Sequence, residues 1–117
     1  MKVYSFSKEA GRRITKFDSN FTLARIAKAD SEAHIGFMFL EPGETIGFHQ
    51  ATVSQLFIVT EGEGSVKTGD QEPLKLKAGQ AILWKTGEWH GASTEQGMTA
   101  LVIESESLMP LDLATIN

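Results

Sequence analysis

Residues 43–62 read GETIGFHQATVSQLFIVTEG and decide the fold. A related stretch, residues 79–94, reads GQAILWKTGEWHGAST. Each stretch opens on a glycine, continues into residues that favour β-strands, and carries a histidine six or eleven positions after that glycine. Glycines that bound short apolar runs are typical of strands joined by tight turns. We therefore expect both stretches to be strand segments of one β-structure.

The rest of the chain repeats this pattern. Turn signals recur about every 6–12 residues, and no helical periodicity persists over about ten residues. A strand is predicted over residues 22–28, and Glu61–Gly64 is predicted to be a hairpin turn between two strands. About nine to eleven short strands are expected, which predicts an all-β sandwich or barrel.

One predicted strand has no polar face. The run IGFMFL at Ile35–Leu40 is apolar throughout, so one face would line the core. The other face then requires a second sheet, a terminal segment or another subunit. The tail is also apolar, with Leu108, Leu111, Leu113 and Ile116. These two segments predict a homodimer.

Composition and net charge limit which functions are possible. The 117 residues make one domain's worth, and 41% hydrophobic with 22% charged residues is typical of a soluble globular protein. A formal net charge of −4 with no basic run argues against a nucleic-acid partner. No apolar stretch is long enough for a membrane helix, and the N-terminus has no signal-peptide core. The chain has no cysteine, and a cytoplasmic location is taken as the default.

The spacing in the first stretch resembles the first motif of the cupin family. That motif is Gly, five residues, His-x-His, three or four residues, Glu, six residues, Gly. The corresponding residues here are Gly43, His49, Ala51, Gln55 and Gly62. The spacing matches, but alanine replaces the second histidine and glutamine replaces the glutamate.

The second stretch is similar to the second cupin motif, which is Gly, five residues, Pro-x-Gly, two residues, His, three residues, Asn. The corresponding residues here are Gly79, Lys85, Gly87, His90 and Thr94. The resemblance implies a double-stranded β-helix, or jelly-roll cupin barrel, over about residues 22–104. We expect residues 1–117 to form a single cupin domain, with the terminal segments packing on the barrel or on a partner.

The resemblance also implies a site inside the barrel. Metal-binding cupins place three histidines and one glutamate there, and this chain retains His49 and His90. Ala51 offers no lone pair, and the Gln55 carbonyl cannot offset the charge of a cation. We therefore expect no tightly bound metal. If a divalent transition metal does bind, its ligands would be His49, Gln55 and His90.

We predict that His49, Gln55 and His90 bind a small polar or aromatic molecule, because imidazole and amide groups both donate and accept hydrogen bonds. The alternative for the two histidines is that they are interior polar groups bonded to Gln55 or water. The predicted ligand-binding set is completed by three aromatic residues, namely Trp84, Trp89 and Phe57. The alternative for these aromatics is core or interface packing.

Three further residues are considered for the site. His34 is outside both motifs and is more typical of a surface or packing residue. Arg25 is either an anion clamp at the barrel mouth or an exposed arginine, the second being the commoner case. Glu88 could act as an acid or base, but nothing in the sequence separates it from a loop carboxylate.

Three functions follow from these observations, and the sequence alone leaves catalysis undecided. The first is a cupin that binds a small molecule without a tightly bound metal. The second is a metal-dependent oxygenase, isomerase or decarboxylase that uses His49, Gln55 and His90. The third is a regulatory or interaction module, for which Ile35–Leu40 and the apolar tail would provide the surface. One fold hosts many functions, so the fold cannot choose among them.

Overall fold

The computed structural model describes residues 2–116, which are mostly β-strand. The strands are β1 Lys2–Ser5, β2 Arg12–Ile14, β3 Phe21–Leu23, β4 Ala27–Ala29, β5 Ala33–Leu40, β6 Thr45–Gln50, β7 Ser54–Thr68, β8 Leu74–Lys77, β9 Gln80–Trp84, β10 Trp89–Ser93, β11 Met98–Ser105, β12 Leu108–Pro110 and β13 Ala114–Thr115. Two single-turn 3₁₀ helices, Lys8–Ala10 and Lys16–Asp18, lie before β2 and β3. Within the described residues, no helix is long and apolar enough to cross a membrane.

Two sheets share the long strand β7. In the first sheet the order is β13-β1-β9-β7-β11-β5, and β7 contributes its N-terminal half. In the second the order is β8-β7-β10-β6, and β7 contributes its C-terminal half. All pairings are antiparallel. This architecture confirms the predicted all-β jelly-roll.

The hairpin turn predicted at Glu61–Gly64 is wrong, because β7 runs through these residues without reversing. Gly62 has φ +74°, and the register between β7 and β11 shifts between Thr99 and Ala100. A β-bulge of this kind bends a strand and increases its twist. The glycines therefore redirect one strand from the first sheet into the second.

The single strand predicted over residues 22–28 is also wrong. The segment divides into β3, which pairs with β2, and β4, which pairs with β12. Between them, the Arg25 backbone N–H donates to a carboxylate oxygen of Asp112 at 2.8 Å. The Arg25 Nε and Nη2 groups donate to the same carboxylate at 3.0 and 3.2 Å. Arg25 thus binds the C-terminal segment, which explains why the ladder is interrupted there.

The main core lies between the two sheets. Phe57, Ile82, Trp84 and Val102 contribute from the first sheet, and Leu76 from the second. These positions alternate along their strands with residues of the opposite face, as a two-sheet structure requires. The apolar character of the strands is therefore explained mainly by burial between sheets.

The terminal segments cover part of the outer face of the first sheet. Leu56, Ile58 and Leu83 point outwards there and are buried. Apolar side chains from the chain ends pack on them, including Phe6, Ile26, Leu108 and Leu113. This cover does not extend to β5, whose outward residues Ile35, Phe37 and Phe39 are 67%, 58% and 69% exposed.

The bend in β7 leads to a stability prediction. A Cβ at Gly62 would overlap the carbonyl oxygen of Gly97, whereas a Cβ at Gly69 meets nothing within 4 Å, although both residues have positive φ. Gly69→Ala should cost about 1–2 kcal/mol, the penalty of a left-handed backbone for an L-residue. Gly62→Ala should cost about 1–3 kcal/mol more, because a packed backbone must also move. Urea unfolding of both variants measures the difference, and equal losses would contradict the close approach.

Candidate functional site

The two motif histidines lie opposite each other on β6 and β10. The ring centroids of His49 and His90 are 4.5 Å apart, and the rings are tilted by 53°. Backbone hydrogen bonds fix the neighbouring segments, since Ala51 N–H donates to the Glu88 carbonyl and Gly87 N–H to the Ala51 carbonyl, both at 2.9 Å. The two motifs are thus joined at the site itself.

Both imidazoles face backbone carbonyls through Nδ1. His49 Nδ1 lies 2.6 Å from the carbonyl oxygen of Gly47, and His90 Nδ1 lies 3.4 Å from that of Glu88. A carbonyl oxygen only accepts hydrogen bonds, so Nδ1 must carry the proton in each contact. In the neutral rings, Nε2 is therefore the nitrogen with a free lone pair.

A small cavity of about 80 Å³ adjoins the histidines, lined by residues 49–53, Gln55, His90 and Glu104. Gln55 and His90 are buried, whereas His49 and Gln50 are exposed, so the cavity opens towards solvent on the β6 side. Water occupies about 30 Å³ in the liquid. The cavity therefore accommodates a group of only a few heavy atoms.

Glu104 is the site residue that sequence reasoning missed. It lies on β11 directly opposite Gln55 on β7, and both line the cavity. Met98, Ala100 and Val102 precede it at alternate positions and belong to the core between the sheets. A period of two along β11 therefore puts the carboxylate on the inward face. That alternation was visible in the sequence, but no motif directed attention to it.

Trp84 and Phe57 form the wall behind the histidines and do not line the cavity. Trp84 is 1% exposed, and its indole stacks on the His90 ring with centroids 4.2 Å apart. Its Nε1 donates to Thr68 Oγ1 at 2.7 Å. Phe57 is fully buried, with its ring centroid 5.6 Å from that of Trp84.

Trp89 points away from the cavity. It is 48% exposed on the outer face of the second sheet, where its ring centroid lies 5.7 Å from that of Phe48. His90 follows it in the strand and faces inwards, as the period of two requires. Trp89 is therefore not brought together with the other candidate residues.

The remaining candidates have local partners. His34 is on the exposed strand β5 beside Glu32, with His34 Nε2 and a Glu32 oxygen 3.9 Å apart. The Arg25 guanidinium beside Asp112 lowers the pKa of that carboxyl to about 2. The Glu88 carboxylate accepts a hydrogen bond from the Lys85 backbone N–H at 2.6 Å and so caps the turn before His90. Arg25 and Glu88 thus have structural contacts outside the cavity.

Four larger hollows on the surface are not lined by His49, Gln55 or His90. One of about 290 Å³ is lined by Glu63, Lys75, Glu95 and neighbouring small residues. There the Lys75 ammonium and the Glu63 carboxylate lie 3.7 Å apart and partly neutralise each other. We therefore treat the smaller cavity beside the histidines as the candidate site, because buried polar groups converge on it.

The metal site of the motif is incomplete. Within residues 2–116, no group of three histidine, cysteine, aspartate or glutamate side chains is arranged to hold one ion. Ala51 occupies a ligand position without a donor, and Gln55 provides only a neutral amide. This donor set does not fit the three-histidine, one-glutamate centre that the motif describes.

Burial lowers the pKa of His90 below its ordinary value of 6.5, and the neighbouring His49 acts in the same direction. The backbone carbonyl of Glu88 and the carboxylates of Glu88 and Glu104 oppose this effect but do not reverse it. His90 is therefore neutral at pH 7. Its ring can accept a hydrogen bond at Nε2.

The lowered pKa of His90 predicts a pH-dependent stability. Below pH 6.5 the unfolded chain binds a proton at this position more readily than the folded chain, so protonation favours unfolding. The folding stability linked to the neutral His90 ring is fully present above pH 6.5, and it is lost as the pH falls from there through the folded-state pKa. The urea midpoint of the parent should be lower at pH 5.0 than at pH 7.5, and this decrease should be smaller in His90→Asn. His34→Asn, which changes a solvent-exposed histidine, is the matched control and should retain the parental dependence.

Comparison with known proteins gives the family. Residues 36–104, more than half of the chain, match the model of the cupin domain family. The chain therefore belongs to the cupin family.

Three relatives illustrate the similarity. A gentisate 1,2-dioxygenase from a Ralstonia species is 35% identical over 63 residues, which are 54% of this chain and 18% of that protein. The chain thus spans less than a fifth of that curated relative. A solved RmlC-like cupin from Shewanella frigidimarina NCIMB 400 is 25% identical, with a TM-score of 0.60 over 66% of this chain and 68% of that one. A cupin superfamily protein from Desulfitobacterium hafniense DCB-2 is 17% identical, with a TM-score of 0.60 over 68% of this chain and 75% of that one.

Proposed function

We propose that the whole chain acts as a single cupin domain that binds a small molecule between its two sheets without a tightly bound metal. The ligand contacts His49, Gln55 and His90. The observation that carries this proposal is that these three side chains line one cavity, in which Ala51 stands at the position of a metal ligand. Trp84 supports the His90 ring from behind and sets its orientation.

Residue chemistry favours a directly bound molecule over a metal ion. Stable divalent sites usually have three or four protein ligands with imidazole, carboxylate or thiolate donors. This cavity offers two imidazoles and one amide at the motif positions. The Glu104 carboxylate also lines it, but within residues 2–116 it is not grouped with the two histidines in an arrangement that could hold one ion. An organic ligand, by contrast, can hydrogen-bond to all three, because each has donor or acceptor capacity.

Metal content tests this proposal. Protein purified without added metal should hold well under one transition-metal ion per chain, as measured by elemental analysis. Ala51→His combined with Gln55→Glu should raise metal affinity by at least about tenfold, because both changes supply donors next to the ion. If the parent retains stoichiometric metal after dialysis and loses it on Gln55→Ala, the proposal is wrong and a metalloenzyme is favoured.

The second candidate function is a metal-dependent cupin enzyme. The observation in its favour is the 35% identity, over 63 residues, with a gentisate 1,2-dioxygenase. In that case His49, Gln55 and His90 would be the ligands of an ion such as iron. The metal experiment distinguishes this candidate from the first, since dioxygen chemistry of this kind would require the ion.

We also propose that the protein is a homodimer formed through β5. This strand lies at the edge of the first sheet, and its outward side chains Ile35, Phe37 and Phe39 are more than half exposed. A second copy is a suitable occupant, because an edge strand can pair with its own twofold-related copy and bury the same residues on both sides. If the protein is instead a regulatory or interaction module, the same face of β5 would be the surface that contacts its partner.

Dimerisation can be measured by light scattering at micromolar concentration. The parent should have twice the chain mass of 12.8 kDa. Phe37→Lys should shift it to the monomer, because a charge would be buried at the interface centre. Phe48→Lys changes a phenylalanine of similar exposure, 49% against 58% for Phe37, on the other sheet and should leave the dimer intact. A parent that scatters only as a 12.8 kDa species contradicts this claim.

A further inference from the structure

Glu104 gives the cavity a charge that the family motifs do not include. It is the one carboxylate among the residues that line the cavity, and no lysine or arginine lies among them. Within residues 2–116, its side chain makes no hydrogen bond or ion pair. Glu104 is only partly exposed, and its printed interaction is electrostatic, with the nearby His90 ring. A partly buried carboxylate in this state favours a cation or a strong hydrogen-bond donor beside it.

The other lining groups add acceptors around this carboxylate. Because Nδ1 of His49 and of His90 contacts a backbone carbonyl, Nε2 is the acceptor nitrogen of each imidazole in the tautomer that these contacts select. Gln55 lies directly opposite Glu104 and supplies an amide oxygen. The cavity thus has acceptors on three strands, namely β6, β7 and β10, in addition to the carboxylate on β11.

The volume limits what enters. A cavity of about 80 Å³ holds a few heavy atoms, comparable with two or three waters. The exposed residues His49 and Gln50 at its rim leave room for the rest of a larger ligand to extend outwards. The recognised part of the ligand is therefore a compact head group.

We propose that the cavity binds the cationic, hydrogen-bond-donating head group of a small molecule, such as an ammonium, amidinium or guanidinium group, and that Glu104 determines this preference. This inference rests on the proposed small-molecule function and specifies its ligand class. Carboxylate head groups are disfavoured by charge, because Glu104 is negative and no lysine or arginine lines the cavity to receive them. Gln55, directly opposite Glu104 on β7, accepts a second hydrogen bond from the ligand.

Three planar probes of nearly the same shape test the charge preference, namely guanidinium, urea and nitrate. Each is titrated at millimolar concentration into the full chain at pH 7.5, with EDTA present and the ionic strength held constant. Amide ¹H–¹⁵N shifts of His49, Gln55, His90 and Glu104 report binding at the cavity. Guanidinium should bind on the order of tenfold more tightly than urea, since charge-assisted hydrogen bonds are the stronger ones. Nitrate should not perturb these amides.

Two variants separate Glu104 from a general effect of negative charge. Glu104→Gln keeps the side-chain shape and should reduce guanidinium affinity to that of urea. Glu106 lies two residues after Glu104 and has an exposed side chain. Glu106→Gln removes the same charge there and should leave guanidinium affinity unchanged. If Glu104→Gln does not fold, Glu104→Asp retains the charge and should retain the preference for guanidinium over urea.

The outcomes distinguish this inference from the function on which it rests. Equal binding of guanidinium and urea at the cavity amides, or tighter binding of nitrate, would overturn the cationic ligand class while leaving a small-molecule site. Cavity amides that respond to none of the three probes would overturn both proposals. Guanidinium binding that survives Glu104→Gln would remove Glu104 from its assigned role.

Discussion

Strand β7 is the constraint on which the rest of the structure depends. Its first half pairs with β11 and β9, and its second half pairs with β8 and β10. The change of sheet occurs near Gly62, where a positive φ and the adjacent Gly97 backbone leave no space for a side chain. Because one strand belongs to both sheets, their inner faces are held against each other, and the apolar residues between them form the core.

The same bend assembles the candidate site. Gln55, near the start of β7, lies opposite Trp84, and Thr68, at the end of β7, lies opposite His90. The Trp84 indole bridges these pairs, because it donates to Thr68 and stacks on His90. Both ends of one strand therefore meet beside the cavity. A rigid apolar wall and a buried, neutral imidazole result from this closure.

The cavity contains the histidines of both motifs, while Ala51 and Gln55 stand at the other two motif positions. Removing one imidazole and one carboxylate from the motif positions leaves a set that suits hydrogen bonding better than coordination. The carboxylate at Glu104 is on the neighbouring strand, where it faces Gln55 instead of replacing it. The site thus has a negative charge beside Gln55, and this charge is the basis of the proposed preference for a cationic head group.

The sequence by itself determined the fold class, because glycine spacing and alternation depend on local backbone geometry, and its resemblance to the cupin motifs implied that His49 and His90 share one site. It did not determine that Glu61–Gly64 continues a strand, since a glycine bulge and a glycine turn have the same local composition. It did not decide which of Trp84 and Trp89 faces the interior, and it did not identify Glu104 as a neighbour of Gln55. Those facts depend on register between strands distant in the chain, and a register is fixed only when the sheets pack. The tertiary structure alone therefore decided which polar groups share the cavity.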